Sequence, residues 1–487
     1  VKLLIDTNIL IPLDPATEAE EGETPLVAEV FQRAQRAKAE VYYHPASRVD
    51  LARDPNAPRR RSHETDLAKY LPLPSPPQAP ELDLLLGAPA YGSNDWVDNQ
   101  LVIALKKHAV DLLITNDAGL RRKARRLDLE QSVLSASEAH RYLREFYDDA
   151  PPAPPSLTQG LAHVLDENDP FFDSFAEDYV GFRDWLIRSK KAARQCWYAK
   201  NAAGHLDAVC IVKHEKDDLP PEVSGKVLKI CTLKVAEAAR GRSLGEQLFK
   251  AVFGFAYENR YDAIFVTLFE EKQERLVEDL QDFGFALSSK RRARNEAQMW
   301  KLLRPPAGDT RVGLEAHVAF GPRFVDFSAP LYAVPIEPRF VEQLFPEQVR
   351  QAGMMPKACT NAMRKAYLSG SGITPPPPGS VLAFYRSRSQ QGIVAIGVVE
   401  ASERHATADG VASFVGKRTV YTQRNIEDMI VKGPVLAMRF REARLTRAPI
   451  SLSVLKQRGL LKGVPQSIQS VALTEENRTW LNEQTLG

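Results

Sequence analysis

The chain reads as an α/β protein of several domains: a doubly wound parallel sheet, a mixed α/β domain, and a strand-rich barrel. Three observations carry this reading. At 487 residues the chain is too long for one core, and three domains of ordinary size is the natural division. Proline marks two seams, Ala150-Pro151-Pro152-Ala153-Pro154-Pro155 and Arg304-Pro305-Pro306-Ala307-Gly308. The rhythm of apolar residues changes at each seam, giving limits of 1–149, 156–304 and 312–487.

Hydrophobic residues make up 44% of the chain and charged residues 26%, the balance of a soluble globular protein. The formal net charge is +2, so affinity for a polyanion must come from local clusters. Cys196, Cys210, Cys231 and Cys359 show neither CxxC pairing nor zinc spacing, and read as buried thiols of a reducing compartment. No apolar run has membrane-spanning length, and the opening strand has no signal-peptide pattern. A cytoplasmic protein without a membrane partner is expected.

The first segment alternates strands and helices. Val1-Lys2-Leu3-Leu4-Ile5 is an apolar strand running into Asp6, and Asp111-Leu112-Leu113-Ile114-Thr115-Asn116 is another running into Asp117. Apolar residues at Val27, Val30, Phe31 and Ala34 predict a helix over 26–39, followed by a strand from Glu40 stopped at Pro45. Ser47 is placed to cap a helix carrying Asp50, and Ser93-Asn94-Asp95 precedes a helix carrying Asp98. Acids at strand C-termini and helix N-termini face one edge of such a sheet. Taken singly, each aspartate reads equally well as a cap or turn residue. Together they would repel unless a hard divalent cation, Mg²⁺ or Mn²⁺, sat among them.

Leu4-Ile5-Asp6-Thr7-Asn8, Asp98-Asn99-Gln100-Leu101-Val102-Ile103-Ala104 and Ile114-Thr115-Asn116-Asp117 resemble the signature blocks of PIN-domain ribonucleases. The resemblance implies that Asp6, Asp50, Asp98 and Asp117 are the catalytic, metal-holding acids, with an Asn or Ser near the first strand in support. Asp50 stands where the family usually has Glu, and Asp95 competes with Asp98. The basic runs Arg59-Arg60-Arg61 and Arg121-Arg122-Lys123-Ala124-Arg125-Arg126 lie close to these acids in the sequence, as a nuclease needs to hold an RNA backbone.

In the middle segment, 196–199 and 208–212 predict a hairpin, and 227–235 and 263–269 predict two further strands. Between the last two, Arg240-Gly241-Arg242-Ser243-Leu244-Gly245 opens a helix over 246–257, a geometry that offers free N–H groups to an anion. With Leu280-Gln281-Asp282-Phe283-Gly284-Phe285 downstream, this resembles the GNAT acetyltransferase family. The resemblance implies that the turn Arg240 to Gly245 cradles the pyrophosphate of acetyl-CoA. Ser243 stands where the family has its central glycine, and Leu280 where it often has the tyrosine that protonates the leaving thiolate.

The last segment predicts strands at 331–336, 380–385, 392–400 and 435–440, with a short helix at 339–345. Gly379-Ser380-Val381-Leu382-Ala383-Phe384-Tyr385 and Ile393-Val394-Ala395-Ile396-Gly397-Val398-Val399 resemble PUA-like barrels of the ASCH and EVE type, which implies RNA recognition. Arg386, Arg388, Lys417, Arg418, Tyr421 and Arg424 mix cations with an aromatic, as single-strand binders do. The joint expectation is a metal-dependent RNA endonuclease coupled to an acetyl-CoA-binding domain, with single-stranded or tRNA-like RNA chosen by the barrel. Toxins of toxin–antitoxin systems use both PIN and GNAT folds, so an antitoxin or regulatory protein is an expected partner. The alternative is an acetyltransferase acting on an RNA-associated or protein substrate, its flanking domains only binding nucleic acid. A third reading is a regulatory RNA-binding protein.

Overall fold

The computed structural model describes residues 1–10, 23–37, 39–53, 55, 60, 63–64, 67, 70–147, 157–179, 181–201, 203–236, 239, 244–271, 273–291, 296–345, 362–388 and 391–485. Its contacts divide the chain into two compact units. One is Val1–Pro151 with Leu368–Gly370 and Glu403–Ala437; the other is Pro152–Tyr367 with Ser371–Ser402 and Met438–Gly487. Among the described residues, no helix is long and apolar enough to cross a membrane.

The first unit is built on five parallel strands: β1 (Lys2–Ile5), β2 (Glu40–Tyr43), β3 (Leu71–Pro72), β4 (Leu112–Ile114) and β5 (Val133–Leu134). Their order is β3-β2-β1-β4-β5. Leu3, Leu4 and Ile5 are at most 1% exposed, as are Leu112, Leu113 and Ile114. Each such side chain contributes about 1.5–3 kcal/mol by leaving water, which fixes these two strands at the centre. The chain winds outward from β1 to β2 and β3, then returns to β4 on the other side of β1. The carboxyl ends of β1 and β4 are therefore the switch point of the sheet, where open α/β sheets place their ligands.

Around the sheet lie α1 (Glu23–Arg36), α2 (Ala46–Leu51), α3 (Asn94–Lys106), α4 (Ala118–Arg126) and α5 (Ala136–Tyr147). Ser93 caps α3 by accepting from Trp96 N at 3.1 Å. Ser47 does not cap α2: that helix starts at Ala46 behind Pro45, and Ser47 is fully buried in its first turn. The unit also takes in helices Ala408–Val415 and Gln423–Ile430 from the last segment. Ser132 Oγ donates to Ser413 O at 2.9 Å, and Arg418 Nε donates to Gln131 Oε1 at 2.5 Å. Arg418 and Tyr421, expected on a single-strand-binding surface, are only 7% and 2% exposed, so neither is free for a nucleic acid. Their polarity serves internal hydrogen bonds instead, with Tyr421 Oη donating to Leu368 O at 3.4 Å.

The second unit holds two sheets. The larger runs β11-β12-β10-β9-β8-β7-β6. Its strands are β6 (Thr158–Leu161), β7 (Gln195–Lys200), β8 (Leu206–Glu215), β9 (Val227–Val235), β10 (Ala263–Leu268), β11 (Ala286–Leu287) and β12 (Ala297–Leu302). Only β9 and β10 pair in parallel; every other described neighbour pair is antiparallel. One face carries α6 (Asp173–Asp178) and α7 (Phe182–Lys191), and the other packs α8 (Leu244–Glu258) and α9 (Glu274–Asp282).

The smaller sheet has β13 (Leu331–Ile336), β14 (Arg364–Ser369), β15 (Val381–Arg386), β16 (Gly392–His405), β17 (Val435–Ser451) and β18 (Gln469–Val471). Their order is β14-β17-β16-β15-β13-β18. The last segment is thus strand-rich as expected, but a pair closing β14 on β18 into a barrel is not among the described pairings. Buried ion pairs join this sheet to the helices of the larger one. Glu442 on β17 lies 2.5 Å from Lys250 Nζ on α8 and 2.5 Å from Lys365 Nζ on β14. Glu400 on β16 holds Arg441 at 2.7 Å and Arg364 at 2.8 Å, and Arg441 Nη1 also donates to Asp282 O at 2.7 Å.

Candidate functional site

At the switch point of the first unit, the ends of β1 and β4 are stitched by one hydroxyl. Thr115 Oγ1 donates to Asp6 Oδ2 at 2.7 Å and accepts from Asn8 Nδ2 at 3.1 Å and Asp117 N at 2.9 Å. Thr7 Oγ1 donates to Asp50 Oδ2 at 3.0 Å and lies 3.3 Å from Asp6 Oδ1. Burial pushes the Asp6 carboxyl up to about 7; the Thr115 hydroxyl opposes this, and the charges of Asp98 and Asp117 add to it. The sequence gives Thr115 no role of its own, although it lies in the block that ends at Asp117.

Asp6, Asp98 and Asp117 are thus close enough to influence one another, and Asp50 joins Asp6 through Thr7. Their remaining contacts are structural. Asp117 caps α4 by accepting from Leu120 N at 2.7 Å. Asp50 is ion-paired to Arg53. Lys123 Nζ sits 3.2 Å from Asp98 and 2.8 Å from Asp95. Among the described residues, no group of three or more His, Cys, Asp or Glu is placed to hold a metal ion. The Mg²⁺ or Mn²⁺ expected from the sequence therefore does not fit these side chains as they stand, because Lys123 supplies the positive charge at Asp98.

The basic run of α4 is likewise engaged within the unit. Arg121 pairs with Glu138 at 3.2 Å, Arg125 with Glu130 at 3.3 Å, and Arg126 Nη2 donates to Leu85 O at 2.5 Å. Of the other run, Arg59 and Arg61 lie outside the described residues.

The second unit offers a cavity of about 370 Å³. Its origin is a β-bulge. In the β8–β9 ladder Val212 pairs with Ile230 and Ile211 with Thr232, so Cys231 is the extra residue. The parallel β9–β10 pairing stops at the same point, with Ile230 opposite Val266. Beyond it β9 runs on to Val235, its edge toward β10 freed from the ladder. The bulge also sets Thr232 on the face of Ile211, opposite the α8 core that receives Leu228 and Ile230.

Cys231, Thr232 and Leu233 of β9 and Val266 and Thr267 of β10 line the cavity. Thr232 is 4% exposed, and neither Thr232 Oγ1 nor Thr267 Oγ1 has a hydrogen-bond partner among the described residues. Arg188, Lys213, Lys229 and Glu296 add charge to the walls. Burial keeps the Cys231 thiol above its ordinary range despite the cations Arg194, Lys229 and Lys213 nearby, so it stands neutral near pH 7.

Helix α8 starts behind β9 with Leu244. The expected cradle residues Arg240, Gly241, Arg242 and Ser243 lie outside the described residues. Leu244 is 1% exposed in the core, so it can offer a ligand only its N–H, whereas a Cβ on Gly245 would meet nothing within 4 Å. Leu280 is also core, at 1% exposure. The freed edge of β9 and the N–H groups at the start of α8 are donors of the kind that an extended amide chain ending in a pyrophosphate requires, so the described residues fit acetyl-CoA.

No family model and no curated protein matches the chain. Solved structures similar to it include the ASCH protein of Zymomonas mobilis, 17% identical over 32% of this chain and 95% of that one, with a TM-score of 0.26. A GNAT-family acetyltransferase of Staphylococcus aureus Mu50 is 12% identical over 31% of this chain and 100% of its own, with a TM-score of 0.25. Another, from Listeria monocytogenes 4b F2365, is 19% identical over 26% of this chain and 72% of its own, with a TM-score of 0.21.

Proposed function

We propose that the chain is an acetyl-CoA-dependent N-acyltransferase whose catalytic domain is residues 156–304, flanked by domains at 1–149 and 312–487. The observation that carries this is the cavity at the bulged, splayed β9–β10 pair. Acetyl-CoA, when bound, supplies an acyl thioester, from which the acyl group passes to an amine with loss of one amine proton and release of the thiol. The open edge of β9 orients the donor chain, and the N-terminus of α8 with Arg240 to Gly245 receives its phosphates. Glu296, at the cavity wall, accepts the amine proton. The neutral Cys231 takes no covalent part, so transfer is direct. Calorimetry with acetyl-CoA tests this: saturable binding that Arg240→Ala weakens is expected, and an absence of binding removes the reading.

A second reading rests on the convergence of Asp6, Asp98 and Asp117 at the switch point: cleavage of RNA by a PIN-like domain with Mg²⁺ or Mn²⁺, the strand-rich domain selecting the RNA. It requires Lys123 to leave Asp98. RNA cut in the presence of Mn²⁺ should survive intact when Asp6→Asn and Asp117→Asn are combined; persistent cutting would exclude these acids.

A further inference from the structure

We infer that the cavity binds a flat aromatic amine that is uncharged near pH 7, its nitrogen borne on the ring itself, and that this is the class of acyl acceptor. The acceptor role rests on the acyltransferase reading; the affinity for an uncharged ring does not.

One wall of the cavity is aromatic: Phe175, Tyr179, Phe182 and Trp185, from α6, α7 and the turn between them. Phe175 stacks on Phe182 with ring centres 4.8 Å apart and 9° between planes, and Phe182 meets Trp185 at 5.4 Å. Such a wall receives a flat ring by stacking, and the cavity volume lies within the usual range of small-molecule sites, about 300–1,000 Å³. An aromatic wall can also attract a cation. Here that capacity is taken by the chain itself: the Lys234 ammonium lies 5.2 Å from the Phe175 ring centre, and the Arg194 guanidinium 5.3 Å from that of Trp185. A ligand ammonium would compete with both.

The charged groups of the other walls cancel. Arg188, Lys213 and Lys229 line the cavity together with Glu296. Lys213 lies 2.6 Å from the Glu215 carboxylate, and Lys229 lies 3.9 Å from both Glu215 and Asp218. Among the described residues, these three cations are therefore matched by three carboxylates, Glu215, Asp218 and Glu296. A ligand bringing a charge of either sign would leave it unmatched and give up part of its hydration on entry. An uncharged ligand meets no such cost.

Two hydroxyls supply the polar contacts that remain. Buried hydroxyls in folded proteins nearly always have a partner, and those of Thr232 and Thr267, both in the lining, lack one among the described residues. A hydroxyl oxygen accepts from a neutral N–H group without needing a charge on the ligand. Proton bookkeeping points to the same class. An aliphatic amine arrives protonated near pH 7 and sheds two protons for each amide formed, one to free its lone pair and one as the C–N bond forms. An amine on an aromatic ring, its lone pair delocalised, arrives neutral and sheds one. As the C–N bond forms and the thioester C–S bond breaks, that proton passes to Glu296 and on to the departing thiolate, and none is left over. Glu296 is the single carboxylate of the described lining.

The test titrates the full chain by calorimetry at pH 7, without acetyl-CoA, with three probes. 4-Ethylaniline and phenethylamine are isomers, the first neutral and the second an ammonium; 4-aminobenzoate keeps the neutral amine and adds a carboxylate. 4-Ethylaniline should bind saturably, and each charged probe at least about tenfold more weakly, since its charge is buried unmatched. Thr232→Val should weaken 4-ethylaniline by about threefold to tenfold, the worth of a neutral hydrogen bond, without lowering the urea midpoint; a purely structural hydroxyl would lower the midpoint and leave binding alone. Trp185→Leu should weaken it several-fold through lost stacking. A preference for 4-ethylaniline of less than about tenfold over either charged probe, no binding by any probe, or binding that neither substitution changes overturns the inference. Failure of acetyl-CoA binding with the arylamine preference intact removes the acyltransferase reading alone, and the reverse outcome removes only the acceptor assignment.

Discussion

Replacing Glu442 by Gln isolates what the buried ion cluster between α8, β14 and β17 contributes. Glu442 and Lys365 are 3% and 0% exposed and Lys250 is 17% exposed, so the substitution leaves two nearly dry ammoniums without their shared carboxylate. Breaking a buried pair by removing one partner costs about 3–5 kcal/mol. The acidity of Glu442 leads to a similar figure. Burial alone would raise the Glu442 carboxyl, but Lys250 and Lys365 outweigh it and hold it at about 2 against an ordinary 4.5. At about 1.4 kcal/mol per pH unit, that gap is worth roughly 3 kcal/mol. A depressed folded pKa means the contribution is complete above about pH 4.5 and is lost as pH falls toward about 2.

Urea unfolding followed by tryptophan fluorescence reads this directly. With a slope of about 2–3 kcal/mol per molar urea, the midpoint of the second unit's transition should fall by about 1–2 M at pH 7. The gap between wild type and Glu442→Gln should then narrow by about 1 kcal/mol at pH 4, because the wild type has begun to lose what the variant never had. A gap below about 1 kcal/mol at pH 7, or one that widens on acidification, would refute the reasoning.

Asp6→Asn should act in the opposite sense. Burial raises the Asp6 carboxyl from 3.8 to about 7, so its ionisation works against folding progressively as pH rises through that range. The variant should be more stable than wild type by roughly 2–4 kcal/mol at pH 8 and about equal at pH 4, measured by urea midpoints; a loss of stability at pH 8 contradicts this. Gly284→Ala should cost about 2 kcal/mol or more. Gly284 closes α9 at φ +78°, and a Cβ there would lie 1.9 Å from the Val318 carbonyl oxygen, so a neutral melting point would be inconsistent with the packing.

What the sequence disclosed follows from where the physics is local. Leu3 to Ile5 and Leu112 to Ile114 are buried on both faces, and a continuous apolar run ending in an acid reads the same in one dimension as in three. The hairpin of β7 and β8 and the helix behind β9 were legible for the same reason. Arg418 and Tyr421 misled because a cation and an aromatic in a polar stretch look alike whether they face water or an internal acceptor. Gln131, which receives Arg418, is 287 residues away in the chain. The cavity was invisible: Cys231 becomes a bulge only by comparison with β8, and nothing in Cys231-Thr232-Leu233 announces two strands parting. Phe175, Phe182 and Trp185 carry an aromatic spacing that a sequence reading assigns to core as readily as to a wall.

The bulge at Cys231 has one further consequence. Side chains along a strand have a parity, and this single residue inverts it midway through β9. Leu228 and Ile230 enter the α8 core at even positions, Leu233 and Val235 at odd ones, while Thr232 and Lys234 turn to the other side. Pairing β9 without a bulge at its present length would turn Thr232 and Lys234 into that core and Leu233 and Val235 out of it, whereas removing Cys231 would restore strict alternation with both still inside. The extra residue is thus not needed to fill that core, and its effect falls on the course of β9 at the point where its pairing with β10 stops.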